Sequence, residues 1–434
     1  MSSVALSGIG ILLSLVVMCI LAFKGVSAVI CGCAAALITI VLSGLPALDT
    51  MSNAYVPGVA AFFISYFLIF LLSSIMGKIY EQTGAAKAIG ETLAKKLGAK
   101  WAMAAVVVAT AILIYGGITS FVVIFAIFPI ALVLFEEADI PTRLIPGAAT
   151  LGLWSFAMTG PLSTQIQNII PMNYLGTTST AAIGPGGLTA ILCFVIGVIY
   201  LMWEEKKAKK KGEHFVFPKH VQKLEDTKAR PNWLIALIPI LFVIISFNAF
   251  KLNIVYALLI TDILAIVLFW NFFDDHNVMK AINEGASGSV VVIINTAAIV
   301  GFGSVVKLTP FYEWAVNTII NMQMNPYVLS FAATNLFAGL MGSSSGSLGL
   351  FYSSLGELMV EYGAQGYNLE FIHRLSSVGC AGLDSLPYCG AIISVLNVCG
   401  VTHKEGYFPI FVNCTLIPIL VGGFVLLPLC MMLG

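Results

Sequence analysis

The chain has 434 residues, 59% hydrophobic and only 10% charged, with 21 Lys+Arg balancing 21 Asp+Glu. Ordinary soluble domains carry about 25% charged residues, so this composition excludes a water-soluble globular protein. Zero net charge implies no acidic partner.

Taken in chain order, apolar runs near the roughly 20 residues that a bilayer demands predict spans at 6–23, 26–45, 57–79, 143–172, 184–203, 232–250, 253–272, 286–307, 371–400 and 408–432. The opening Met1-Ser2-Ser3-Val4 has no basic residue, so the first run reads as a span and not a cleaved leader. Residues 83–99 and 309–323 are too short or too polar to cross and read as interfacial amphipathic arms. Two re-entrant hairpins are expected near 101–135 and 326–362. The basic stretch 204–230 is a solvated linker that fixes topology, not a nucleic-acid surface. Nine cysteines without a CxxC pair read as small core thiols. No His/Cys/Asp spacing suggests a metal site, and the chain has no Walker loop, dinucleotide fingerprint or nucleophile elbow. No cofactor is therefore expected, and no enzyme activity.

The second half repeats the punctuation of the first. Gly116-Gly117-Ile118-Thr119-Ser120 is answered by Gly342-Ser343-Ser344-Ser345-Gly346. Downstream, Thr159-Gly160-Pro161-Leu162-Ser163 is answered by Leu383-Asp384-Ser385-Leu386-Pro387 at the same spacing. Paired interruptions in two halves point to the binding site of a secondary transporter. The fold class expected is an all-α polytopic membrane protein of two inverted repeats, 1–203 and 231–434, joined by the 204–230 linker. Hairpins that enter and leave on one side leave five crossings per half. Eighteen of the 21 basic residues then share one face, with only Lys251, Lys307 and Arg374 opposite. That bias makes the linker cytoplasmic and both termini external.

Non-helical backbone at membrane depth is tolerated where it lines a cavity, and the amides of a half-helix N-terminus suit a carboxylate. Pro161 and Pro387 are expected in the first turn of such half-helices. The candidate substrate-binding residues are Thr119, Ser120, Ser163, Thr164, Gln165, Asn168, Ser343, Ser344, Ser345, Ser385 and Asn397. Thr159, Gly160 and Ser347 belong to the same constellations. Intramembrane carboxylates are costly and mark function. Asp384, in the second break, is the expected ion-coupling residue, Glu357 is the second candidate, and Asp262 is assigned a structural or subunit-contact role. Arg143 and Arg374 read as snorkelling anchors at span entrances.

Gly117-Ile118-Thr119-Ser120-Phe121-Val122-Val123, Phe125-Ala126-Ile127-Phe128-Pro129 and Gln165-Ile166-Gln167-Asn168-Ile169-Ile170-Pro171 resemble the gluconate permease (GntP) family of the ion transporter superfamily. So do Gly342-Ser343-Ser344-Ser345-Gly346, Leu383-Asp384-Ser385-Leu386-Pro387 and Gly400-Val401-Thr402-His403-Lys404, and the likeness is strongest to its shorter organic-acid branch. The resemblance implies proton-coupled uptake of a small organic acid, an elevator mechanism and a homodimer in a bacterial plasma or inner membrane. Tyr388 and Cys389 stand where that branch suggests His and Asn, which makes the pocket less basic. The function expected is therefore H⁺ symport of a hydroxy-monocarboxylate such as gluconate, hydroxybutyrate or lactate. A Na⁺-coupled carboxylate carrier is the rival, on account of the hydroxyl and carbonyl oxygens at the hairpin tips. A channel is the rival of another class, since re-entrant loops also build selectivity filters.

Overall fold

The computed structural model describes residues 3–117, 120–218, 229–321 and 324–434; among these it is helical throughout, with no strand. The first half runs α1 (Ser3–Phe23), α2 (Ala28–Leu42), α3 (Ala47–Gln82), α4 (Ala85–Leu97), α5 (Ala102–Tyr115), α6 (Ser120–Glu137), α7 (Ile145–Ala157), α8 (Ile166–Leu175) and α9 (Ile183–Lys210). The second half runs α10 (Trp233–Asn248), α11 (Ile254–Phe269), α12 (Val278–Val306), α13 (Pro310–Asn321), α14 (Pro326–Met341), α15 (Ser344–Ala364), α16 (Leu369–Gly382), α17 (Gly390–Cys399) and α18 (His403–Leu433). Local sequence explains many of the starts. Asn232, Asn253, Asn277, Asn325 and Asn368 each precede a helix and accept a first-turn amide in the side chain. Thr402 and Glu405 form a reciprocal capping box at the head of α18.

Six helices among the described residues are long and apolar enough to cross a membrane: Ser3–Leu21, Ala47–Gln82, Ile183–Lys210, Ile254–Phe272, Val278–Val306 and His403–Leu433. Leu369–Ser385 and Gly390–Cys399, bent by 56°, make a seventh when taken as one broken span. The chain is thus an all-α polytopic membrane protein. Two expected spans, 26–45 and 232–250, form helices of only 15 and 16 residues. The run 143–172 divides into helices of 13 and 10 residues around an unwound segment. The prolines do not open the second half-helices as expected. Pro161 and Pro387 lie inside the unwound segments, and α8 and α17 begin later, at Ile166 and Gly390. With φ fixed and no N–H to donate, they keep these stretches from winding.

α3 and α12 pack along each other at the centre, flanked by α2 and α11, with α1 and α10 outside them. Small residues permit the close approach. A Cβ on Gly58 would strike Ser304, and one on Gly285 would strike the backbone of Ile75. α5–α9 and α14–α18 form a second body, while α13 packs on α1 and α4 packs on α5, α6, α10 and α3. α5/α6 and α14/α15 fold back as hairpins, α7 lies on α5, and α16 lies on α14. The half-helices after the breaks change sides: α8 packs on α15 and α16, and α17 on α6 and α7. Each hairpin's second arm, α6 or α15, touches the central pair.

The linker is not wholly solvated. Arg143 pairs with Glu213 at 2.6 Å, Asp139 accepts the Phe215 N–H at 3.0 Å, and Phe215 and Phe217 pack against the core. Arg143 is therefore an ion-pair partner of the linker, and not the free anchor expected.

Candidate functional site

The two unwound segments meet the two hairpin tips around one cavity of about 90 Å³. At the tips, Gly117 (φ 84°) and Gly342 (φ 54°) turn the chain through left-handed backbone that a side chain would strain. Of the expected binding residues, Thr164, Gln165, Ser343, Ser344, Ser345 and Asp384 line the cavity. Thr119 lies outside the described residues, and Ser120 opens α6.

Several expected residues are elsewhere. Asn397 and Glu357 are exposed on their helices and do not line the cavity. Ser385 is buried but turns away, its hydroxyl 2.6 Å from that of Thr415 in α18. Ser347 donates to the Thr334 carbonyl at 2.6 Å. Ser163 and Asn168 are buried behind the first unwound segment, where the Asn168 amide donates to the Ser163 carbonyl at 2.9 Å. Asp262 is 4% exposed on α11, and neither carboxyl oxygen has a hydrogen-bond partner.

Asp384 is 3% exposed at the junction of both halves. Trp154 Nε1 of α7 donates to its Oδ2 at 3.2 Å, and the Cys389 thiol lies 3.7 Å from Oδ1. The hydroxyl and main-chain N–H of Ser344, in the first turn of α15, face the same carboxylate, so it lies where a helix N-terminus favours an anion. Gln167 Nε2 of α8 donates to Ser344 Oγ at 2.9 Å. This chain of contacts joins α8, α15, the second break and α7.

The unwound carbonyls are already satisfied. In the first break Gly160, Pro161, Leu162 and Ser163 accept from Arg374 (3.2 Å), Tyr115 (3.0 Å), Asn248 (3.1 Å) and Asn168 (2.9 Å) in turn. In the second, Ser385 accepts from Tyr407 at 3.0 Å, Leu386 from the Cys389 N–H at 2.9 Å, and Pro387 from His403 at 3.0 Å. Thr164 and Gln165 donate in turn to the Tyr115 and Ile114 carbonyls at 3.1 and 2.8 Å, capping the end of α5. In the first turn of α8 the Asn168 and Ile169 N–H groups donate to the Gln165 carbonyl at 2.9 and 3.2 Å. The Ile166 and Gln167 amides precede any intrahelical acceptor, and Gln165, Ile166 and Gln167 bring that turn to the cavity wall. Gln167 Oε1 is buried there without a partner.

Cys389, singled out against the resembled branch, is on the wall, and residues not expected as binding groups join it: Trp154, Gln167, and Ser73, Asn295 and Thr296 from α3 and α12. Gln167 stands inside the Gln165-Ile166-Gln167-Asn168 motif and carried a signal. Asn295 and Thr296 sit unmarked within a long apolar span. Tyr388 does not reach the cavity wall; its hydroxyl donates to the Gly339 carbonyl. Arg374 is fully buried and not snorkelling, with Nε and Nη2 on the Ala181 carbonyl at 3.1 and 3.0 Å.

Among the described residues no group of three or more His, Cys, Asp and Glu is placed to hold a metal ion. Long apolar helices and broken spans that meet at a cavity carrying one carboxylate give the chain the build of a transporter-like membrane protein. The comparison with known proteins agrees: the chain is 31% identical over 446 aligned positions to the uncharacterized transporter YxjC of Bacillus subtilis (strain 168), covering 92% of this chain and 94% of that one. The chain belongs to the same transporter family as YxjC, and is a transporter and not an enzyme. No protein-family model matches it.

Proposed function

We propose that this protein is a secondary transporter that imports a small hydroxy-monocarboxylate together with H⁺ by an elevator motion, in the manner of the gluconate permease family it resembles. The observation that carries this reading is the hydrogen-bonding of the breaks. Gly160, Pro161, Leu162, Ser163, Ser385 and Pro387 have their carbonyl oxygens bound by side chains, whereas the first turn of α8 and Ser343, Ser344 and Ser345 line the cavity. A helix N-terminus at the wall suits a carboxylate, while break carbonyls that already accept one hydrogen bond each are weaker ligands for Na⁺ than free ones. Gln167 Oε1 and Asp384 supply acceptors for a substrate hydroxyl. The cavity is small, about 90 Å³, so an acid of this class enters it only as the hairpin tips open, with the least opening for the shortest acids.

Asp384 is the proposed coupling residue. Its proton and the substrate anion cross together as a nearly neutral load, which avoids carrying a bare charge through the barrier. Two inverted repeats, 1–203 and 231–434, are supported by the packing. Exchanging each helix of α1–α9 for its counterpart in α10–α18 reproduces the main contacts: α1–α2 with α10–α11, α5–α7 with α14–α16, α3–α6 with α12–α15 and α8–α15 with α17–α6. The hairpins and broken spans would be the mobile body and the α3/α12 group the scaffold, dimeric as the resemblance implies. Uptake of labelled lactate and 3-hydroxybutyrate into proteoliposomes, under an imposed pH gradient with and without sodium, tests the proposal. Uptake should follow the pH gradient, saturate and show counterflow. Dependence on sodium alone would transfer the coupling to Na⁺, and non-saturating flux would indicate a channel.

A further inference from the structure

We propose that Arg374, reaching in from the second half, is a positioning residue that holds the first unwound segment in its anion-binding shape and gives that segment its positive character. The inference rests on the anion-carrier reading above.

Arg374 lies on α16 with no exposed surface. Its hydrogen-bond acceptors are the Ala181 carbonyl, the Gly160 carbonyl at 3.2 Å and Asn168 Oδ1 at 3.2 Å, all neutral. Glu370, one turn earlier, accepts the Ala182 N–H at 3.2 Å instead. A buried cation is costly unless it is hydrogen-bonded and compensated. Here the bonding is supplied by Gly160 of the break with Asn168 and Ala181, Glu370 one turn away gives part of the compensation, and a bound anion would add to it. The planar fork is required, because a lysine's point charge cannot span Gly160, Ala181 and Asn168 together. α9 leaves room for it: a Cβ on Gly186 would meet Arg374 Cδ at 2.8 Å.

The neighbours on α16 extend the clamp. His373 Nε2 shares Asn168 Oδ1 at 2.9 Å, and its Nδ1 lies 2.7 Å from the Thr177 hydroxyl. Ser377 donates to the Gln167 carbonyl at 3.0 Å. Asn168 passes the restraint on, its amide donating to the Ser163 and Ser179 carbonyls at 2.9 and 3.3 Å. Asp384 is the one charged side chain on the cavity wall among the described residues, so an entering carboxylate meets a negative group in front. Arg374, behind α8, provides the opposing field.

The test uses full-length protein in nanodiscs, comparing wild type, R374Q, R374K and G186A, the last displacing the guanidinium while keeping its charge. Two readouts are taken. One is the binding of sodium 3-hydroxybutyrate and of its uncharged amide. The other is the rate at which N-ethylmaleimide alkylates Thr164→Cys in a background without native cysteines. R374Q should weaken anion binding about tenfold or more and amide binding much less. R374K should recover part of the anion affinity. Alkylation should accelerate several-fold in R374Q, R374K and G186A, because each loosens the break. Unchanged anion affinity in R374Q, or unchanged alkylation in all three variants, overturns the proposal. A wild type that binds neither probe sinks the substrate reading instead, and the alkylation rates alone then decide whether Arg374 is the clamp.

Discussion

Asp384 is held from three directions, by Trp154, Cys389 and Ser344, and each contact separates a coupling role from a purely structural one. Asp384→Asn mimics the protonated carboxyl and should keep substrate exchange while losing accumulation driven by a pH gradient. If that variant still concentrates substrate, coupling lies elsewhere. Trp154→Phe removes one hydrogen bond to a charged group, worth roughly 1.5–3 kcal/mol. Its effect should appear in the pH dependence of uptake more than in protein yield. The serines divide by where they point. Ser344→Ala should weaken binding about tenfold or more, because Ser344 bridges Gln167 and Asp384. Ser385→Ala should leave affinity nearly unchanged, because its hydroxyl faces Thr415. Equal losses in the two variants would show that the cavity has been misassigned.

The helices and their interruptions were legible at the scale of the element, because apolar length and Gly, Pro and Ser punctuation are local properties of the chain. The faces were not. Thr164 and Gln165 reach the cavity while Ser385 does not, since an unwound segment has no fixed period from which to read a direction. Nor does hydropathy distinguish a buried Arg374 from one at the surface; only the acceptors at Gly160, Asn168 and Ala181, far away in sequence, decide it. The linker shows the same limit, because its charge pattern gives its side of the membrane but not its docking on the 138–143 turn. That docking is pH-dependent with a definite sign. Arg143 beside Glu213 holds its carboxyl below the usual range, and the Phe215 N–H and His214 do the same for Asp139. A depressed folded value contributes stability that is complete above the ordinary carboxyl range near pH 4 and is lost as the pH falls through the folded value. Protection from hydrogen exchange over residues 211–217, taken relative to the intrinsic amide rate at each pH, should therefore be high at pH 6 and fall only below about pH 4. Arg143→Gln should lower it at pH 6. Exchange that ignores both changes would mean the strap is not held by these charges.

The proposed movement of one body past the other would be a property of the whole molecule, and a crosslink can test it without touching the site. If eighteen of 21 basic residues mark the cytoplasmic face, an impermeant maleimide should fail to label Lys209→Cys in intact cells, which fixes the frame for the motion. Gly346, in the first turn of α15, lies against α12: a Cβ there would come within 3.0 Å of Val300 Cγ2. Gly10 and Leu42 face each other inside the scaffold, the two Cβ positions 2.8 Å apart. Both pairs come close enough that small shifts reach the roughly 3.5–4.5 Å Cβ separation of a disulfide. In a background without native cysteines, oxidising Val300→Cys with Gly346→Cys ties the hairpin body to the scaffold, while Gly10→Cys with Leu42→Cys ties the scaffold to itself. An elevator requires the first bond to abolish uptake, with recovery on reduction, and the second to leave uptake nearly intact. Substrate binding at the exposed side should survive the first bond, because the hairpin tips and both breaks stay together in one body. Full uptake through the oxidised Val300–Gly346 pair would exclude relative movement of these bodies, and transport would then have to proceed by local opening of the tips alone.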